Sequence, residues 1–433
     1  MTNWTQAADR GEQPKSNAIT DVACPFCGLV CDDLELARDE KGLKVTKNGC
    51  EKAVAGFERS VDGAHPQVDG RDVDLQTAIQ AATDLVRAST LPLYGGLGTD
   101  IRGIQAVMAL ADKSGGVVDH ALSEGQYRNF RVLQTTGWIT TTLTEARNRA
   151  DVFVIVGSDI QGQHPRFFER IVNAEHSLVT ETPPKRTIVF IGKGLDQSGA
   201  KGPRVGDVIT LPCDLDRVGE VIGALSAVLK GAPVSTDSVA GVPTSDIRAL
   251  AERVTGALYP VFCWSPTSLK FANADLLVNG ISDVVKQLNI TGRAAGLSLG
   301  GSEGSTSASS VSTWQSGFPL RVSFASGKPD YDFMRYAIPR MLESGQGDLL
   351  VWIASFSPDL GPPSTKIPTI VLGTPGIKLA GTPKVYIPIG TPGVDQTGSI
   401  MRVDGVVTLP LRDLGRAKLP KVSDVLAAIE LAL

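Results

Sequence analysis

Short apolar runs alternating with amphipathic segments constrain this chain more than any other feature. Residues 151–157 (DVFVIVG) carry five consecutive apolar residues, as a strand buried on both faces of a parallel sheet requires. Residues 187–192 (TIVFIG) form a second such run about 35 residues later. That interval suits a βαβ unit whose crossover helix includes residues 166–174. Further runs lie at 258–264, 348–354 and 368–373. Leu75–Ala88 has apolar residues at helical spacing, 91–98 reads as a strand ending in glycines, and 103–114 is helical again. The alternation predicts α/β architecture with two doubly wound, Rossmann-like parallel sheets, the Gly/Ser stretch 295–310 serving as a loop between elements.

Composition narrows the class. With 433 residues, 42% hydrophobic and 20% charged, the chain is an ordinary globular protein of about three domains. Forty-two basic and 46 acidic residues leave a net charge of -4 without a polycationic run, so neither nucleic acid nor an anionic membrane is an expected partner. The expected location is cytoplasmic: no apolar stretch is long enough to span a bilayer, and the first residues lack the plan of a secretory signal.

Six cysteines are too few for a disulfide scaffold, yet four fall within residues 24–50. Cys24, Cys27 and Cys31 give C-x2-C-x3-C, with Cys50 as a fourth thiol. Strand-like pieces at 33–36 and 43–46 flank the turn 39–42, so a returning strand can bring Cys50 to the loop. Four thiols suit an iron–sulfur cluster or tetrahedral zinc; four buried cysteines without metal are the bland alternative. Cys213 and Cys263 sit in apolar contexts and read as buried small hydrophobes. Four scattered histidines (His65, His120, His164, His176) do not make a multi-histidine zinc site.

A four-cysteine module ahead of doubly wound units resembles the molybdopterin oxidoreductase superfamily. CPFCGLVCDDLEL with NGCEKAVAGF, TLTEARNRA leading into DVFVIVGSDIQGQHPRF, VSTWQSGFPL around Trp314, Gln315 and Gly317, and GVDQTGSIMRVDGVVTLP resemble the B-type subunit of formylmethanofuran dehydrogenases. The likeness covers residues 21–415. It implies a polar tail at 1–20, a four-cysteine domain at 21–66, a first α/β domain from 67–136 plus 340–433, and a second at 137–339. By the same resemblance Cys24, Cys27, Cys31 and Cys50 are metal ligands, and Gly157, Asp159, His164, Arg402 and Asp404 border a pterin pocket.

The departures are informative. Redox-active members place a cysteine or selenocysteine on molybdenum or tungsten shortly before the TLTEARNRA-like linker. Here that region reads HALSEGQYRNFRVLQTTGW, with Ser123 and Glu124 and no cysteine. Hard oxygen donors do not replace a soft thiolate without changing affinity and redox poise. The departures resemble the B-type subunit of formyltransferase/hydrolase complexes, which carry a formyl group from formyl-tetrahydromethanopterin via a methanofuran analogue to formate without redox chemistry. That likeness implies a structural subunit with no catalytic residue and no molybdopterin. Its partners are a hydrolase, a formyltransferase and a further structural subunit. Whether the four thiols hold [4Fe–4S], zinc or nothing stays open. A redox-active formylmethanofuran dehydrogenase subunit is the alternative. Smaller expectations are that Trp314 and Gln315 pack and fix a loop, that Arg402 pairs with Asp404, and that Asp32 and Asp33 form a solvated edge.

Overall fold

The computed structural model describes residues 18–40 and 42–433, so residues 1–17 of the expected tail lie outside the described residues. The apolar run at 151–157 becomes strand Val152–Val156, buried at every position. It is the middle strand of an all-parallel sheet, five-stranded among the described residues. The order is Val205–Leu211, Arg186–Ile191, Val152–Val156, Pro260–Trp264, Ala295–Ser298. Both faces are covered, which is why the run contains no polar residue. Val152, Val154 and Val156 meet helices Val218–Leu229, Thr244–Gly256 and Ala274–Leu288. Phe153 and Ile155 point the other way, onto Phe167, Phe168 and the cysteine loop.

A second sheet, nine-stranded among the described residues, has a parallel centre. Its members are Val117–Val118, Pro92–Gly98, Leu349–Ala354, Thr369–Gly373 and Val385–Pro388, with short antiparallel strands on both flanks. Helices Leu75–Ala88, Ile101–Ser114 and Val422–Ala432 supply apolar residues to the core on it. The first two helices begin where Asp74 and Asp100 accept hydrogen bonds from Thr77 N and Gly103 N, satisfying amides that the helix leaves free.

The cysteine module is an antiparallel sheet, three-stranded among the described residues (Ala18–Val22, Leu34–Asp39, Gly42–Lys47), followed by helix Glu51–Phe57. Phe26 and Phe57 pack edge to face at 5.1 Å beneath it. Among the described residues, no helix is long and apolar enough to cross a membrane.

Several expectations need correction. The crossover at 166–174 is only a single π-helical turn, Phe168–Val172, ended by Asn173, whose side chain is tied to Phe168 O and Lys201 O. The stretch 295–310 is not a loop. It holds strand Ala295–Ser298 and the start of helix Ser305–Ser316. Ser307 and Ser312 are fully buried there and bond Met401 N, Leu320 N and Phe318 O, so tertiary partners outweigh poor helix propensity. Trp314 and Gln315 point outward, Trp314 at 61% exposure, and do not pack. Val322–Ser323 pairs with Val117–Val118 on one side and with Asp330–Tyr331 on the other, so both short strands belong to the nine-stranded sheet.

Candidate functional site

The cysteine loop closes through Cys24 N to Cys31 O (2.7 Å) and Val30 N to Cys27 O (3.2 Å). Val30 takes a left-handed φ of 46°, which re-aims the chain just before Cys31. Cys50 sits at the N-terminus of helix Glu51–Phe57, its carbonyl accepting from Val54 N. Cys24, Cys27, Cys31 and Cys50 thereby line one small cavity walled by Leu29, Leu34, Ala53 and Pro165. All four thiols are free, and three are buried.

Burial is the main reason Cys24, Cys27 and Cys31 resist ionisation. Cys24 is pushed well up, with the neighbouring Cys27, Cys31 and Cys50 adding to the effect, and Cys27 is pushed up to about 12. Burial raises Cys31 as well, against the opposing field of Arg170, which bonds its sulfur. Buried thiols such as Cys24, Cys27 and Cys31, which resist ionisation, are what a cationic centre would relieve, since metal binding and thiol deprotonation are linked. Among the described residues, no three His, Cys, Asp or Glu side chains are set to hold a single metal ion. The four cysteines instead line one small cavity together. Soft donors in that number fit a four-cysteine cluster by their chemistry.

Charged side chains from the second α/β unit hold this loop. Arg166 grips Asp33 with two bonds (2.7 and 2.8 Å), and Arg170 reaches Asp32 at 2.7 Å and Asp33 at 3.4 Å. Asp32 and Asp33 are thus anchors, which corrects the solvated-edge expectation. Lys52 Nζ donates to Gln163 O at 2.7 Å from the other side of the cavity.

Lys52 also lines a second pocket, where the cysteine module meets both α/β sheets. Its walls include Phe26, Arg59, Glu303 and Phe356, and its volume is about 300 Å³. Phe356 follows strand Leu349–Ala354 and Glu303 follows Ala295–Ser298, so the pocket lies beyond carboxyl ends of strands from both sheets, where ligands of open α/β folds bind. Glu303 is held at a left-handed φ of 53° between Gly301 and Gly304, which are left-handed too. Its Oε2 is buried without a hydrogen-bond partner, and burial, against the pull of Lys52 and Arg59, pushes its carboxyl up to about 7. Strain, an orphaned oxygen and two nearby cations mark a functional position. Sequence reasoning missed Lys52, Arg59 and Glu303; the position of Lys52 two residues after Cys50 was the available signal.

The region that lacks the metal cysteine opens helix Ser123–Thr135. Arg321, only 3% exposed, donates to Ser123 Oγ (3.1 and 3.3 Å) and Glu124 Oε2 (2.9 Å). Its guanidinium lies 4.3 Å from the Tyr127 ring centre and 3.5 Å from Asp119. Leu320 and Arg321 both take left-handed backbone (φ 71° and 48°) to bring it there. Arg321 was also missed by sequence reasoning.

The remaining predicted residues separate. Gly157 (φ 56°) ends its strand, and Asp159 caps the short helix Ile160–Gln163 through Gly162 N. His164 is fully buried with neither ring nitrogen bonded, and burial lowers its pKa to about 4. Arg402 and Asp404 do pair, at 2.6 Å, but on the hairpin after Gly398–Met401, where Asp404 accepts from Leu143 N. Arg402 borders a cleft with Arg147, Arg170 and Asp32, on the outer side of the cysteine loop.

No family model matches the chain. It is 28% identical over 443 aligned positions to the B-type subunit of the tungsten-containing formylmethanofuran dehydrogenase 2 of Methanocaldococcus jannaschii, covering 94% of this chain and 99% of that protein. It is 27% identical over 331 positions to the B-type subunit of the Methylorubrum extorquens formyltransferase/hydrolase complex Fhc, covering 76% and 85%. The chain is similar to both subunits over most of its length. A chain of the Methylorubrum extorquens FhcABCD crystal structure, solved with methylofuran, superposes with a TM-score of 0.71 at 24% identity. That match covers 85% of this chain and 98% of the other, and it shows a shared mixed α/β fold with parallel sheets.

Proposed function

We propose that this chain is a non-redox scaffold subunit of a formyltransferase/hydrolase complex, assembled with a hydrolase, a formyltransferase and a further structural subunit. That complex takes formyl groups from formyl-tetrahydromethanopterin via a methanofuran analogue to formate. The carrying observation is Arg321. A guanidinium on Ser123 Oγ and Glu124 puts a buried cation where the resemblance puts a metal-bound thiolate. A cation beside a metal cation is unfavourable, and the available donors are hard oxygens. The proposal therefore includes the absence of molybdopterin.

Cys24, Cys27, Cys31 and Cys50 would hold a [4Fe–4S] cluster, which would cross-link the module and supply no catalytic step. Four soft sulfur donors lining one cavity support that reading by their chemistry. Elemental analysis of the purified complex tests both parts. The expected result is iron in the chain without molybdenum or tungsten. Stoichiometric molybdenum or tungsten would overturn the scaffold reading, and zinc or no metal would overturn the cluster.

The alternative is the redox-active subunit of a formylmethanofuran dehydrogenase, with a molybdopterin or tungstopterin and a cluster. The likeness to tungsten-containing relatives over 94% of the chain favours it. It requires formylmethanofuran-dependent dye reduction by the metal-replete complex.

A further inference from the structure

The pocket where the cysteine module meets both sheets carries an inference independent of the four thiols. Lys52 spends one of its three donors on Gln163 O. Arg59 gives its terminal nitrogens to Phe356 O, Thr374 and Thr391 and leaves Nε buried without a partner. Glu303 receives a bond from Ser357 N, but its Oε2 has none. Asp359, at the rim, is engaged by Lys378 at 2.6 Å. Two cations in a partly enclosed pocket select an anion. An ionised carboxylate beside them repels that anion unless the ligand itself brings a proton to the carboxylate oxygen.

We propose that this pocket binds a free hydrogen oxyanion, of the hydrogen phosphate or bicarbonate type, with its charge on Lys52 and Arg59 and its O–H donated to the Glu303 carboxylate. The proton makes the site selective. Hydrogen phosphate keeps one O–H above neutral pH. Sulfate has none, and a phosphate monoester, with its second pKa near 6, has lost its own. Either would set a lone pair against the lone pairs of Glu303.

The test is equilibrium dialysis of the full-length chain, with any co-purifying subunits, against radiolabelled inorganic phosphate at low ionic strength and about pH 8, where Glu303 is ionised. Saturable binding is expected, competed by unlabelled phosphate and bicarbonate. Sulfate and glycerol phosphate should compete at least roughly tenfold more weakly, the cost of one lost bond to a charged acceptor. Glu303→Gln, whose amide can donate, should let sulfate compete as well as phosphate does. Lys52→Met, checked for folding by circular dichroism, should weaken phosphate binding by roughly tenfold or more. Absence of saturable phosphate binding overturns the proposal. So does sulfate competing equally with phosphate in the unaltered protein, which needs no variant to be read.

Discussion

Arg186 shows how much one buried charge can organise. It is fully buried, and its guanidinium donates to Ala150 O (3.0 Å), Ile171 O (2.6 Å), Val172 O and Arg147 O. These carbonyls end helix Leu143–Arg149 and the turn Phe168–Val172, so one side chain closes two element termini. Burial is the main reason its pKa falls to about 10, with Arg204 and Arg147 adding to it. Arg186→Met keeps most of the volume but strands the carbonyls, at about 1–3 kcal/mol for each one left unsatisfied. We expect a loss of roughly 4 kcal/mol, read as a lower midpoint in urea unfolding. Glu303 acts in the opposite sense. Its folded carboxyl, raised from 4.5 to about 7, binds a proton that the unfolded chain has released, so stability falls as pH rises between those values. The accumulated penalty above neutral pH is about 3 kcal/mol. Glu303→Gln should raise stability at about pH 8 and flatten this part of the stability–pH curve. An unchanged slope would assign the titration to another group.

At the scale of elements, the cysteine loop is fitted against its neighbours with no room for a methyl group. A Cβ on Gly28 would stand 2.2 Å from Gly300 O, while Gly28 O accepts from Val403 N at 2.8 Å. Gly28→Ala should therefore displace the loop from the 300–301 turn. The expected cost is at least about 2 kcal/mol, accompanied by reduced metal content in the purified protein. Full metal content at unchanged stability would show that the loop can shift freely. The sequence foretold only half of this contact. The glycine between the thiols was visible, but its partner belongs to a serine-rich stretch that local composition reads as a loop. Strand Val152–Val156 and helix Leu75–Ala88 were legible because sheet burial and helical spacing each leave a repeating pattern. Helix Ser305–Ser316 left none, since its inward face is built of small polar residues whose hydrogen-bond partners are distant in sequence. Arg321 and Glu303 were hidden for the same reason. Each is marked by an unusual backbone angle and by neighbours far away in the chain.

Over the whole molecule, the cysteine module is clamped from two directions, and the junction pocket lies between the clamps. Arg59 ties it to Thr374 and Thr391 near the nine-stranded sheet. Arg416 joins Asp395 at 2.6 Å while donating to Gly56 O. On the other side Arg166 and Arg170 hold Asp33 and Asp32. These links cross between units, so the four cysteines could be read from the sequence while the residues that seat them could not. Burial alone would raise the Asp33 carboxyl, but the bonds from Arg166 and the charge of Arg170 hold it below its ordinary value. A depressed carboxylate pKa contributes stability above the unfolded value, and that contribution is lost as pH falls through the folded one. Docking of the module should therefore weaken on acidification below the usual carboxylate range. Asp33→Asn should bring the same weakening at neutral pH. Limited proteolysis is the direct measurement: cleavage within residues 18–57 should accelerate in Asp33→Asn, while cleavage in the five-stranded sheet stays unchanged. Equal acceleration in both places would mean that the two units unfold as one, and that the arginine clamp does not govern docking of the module by itself.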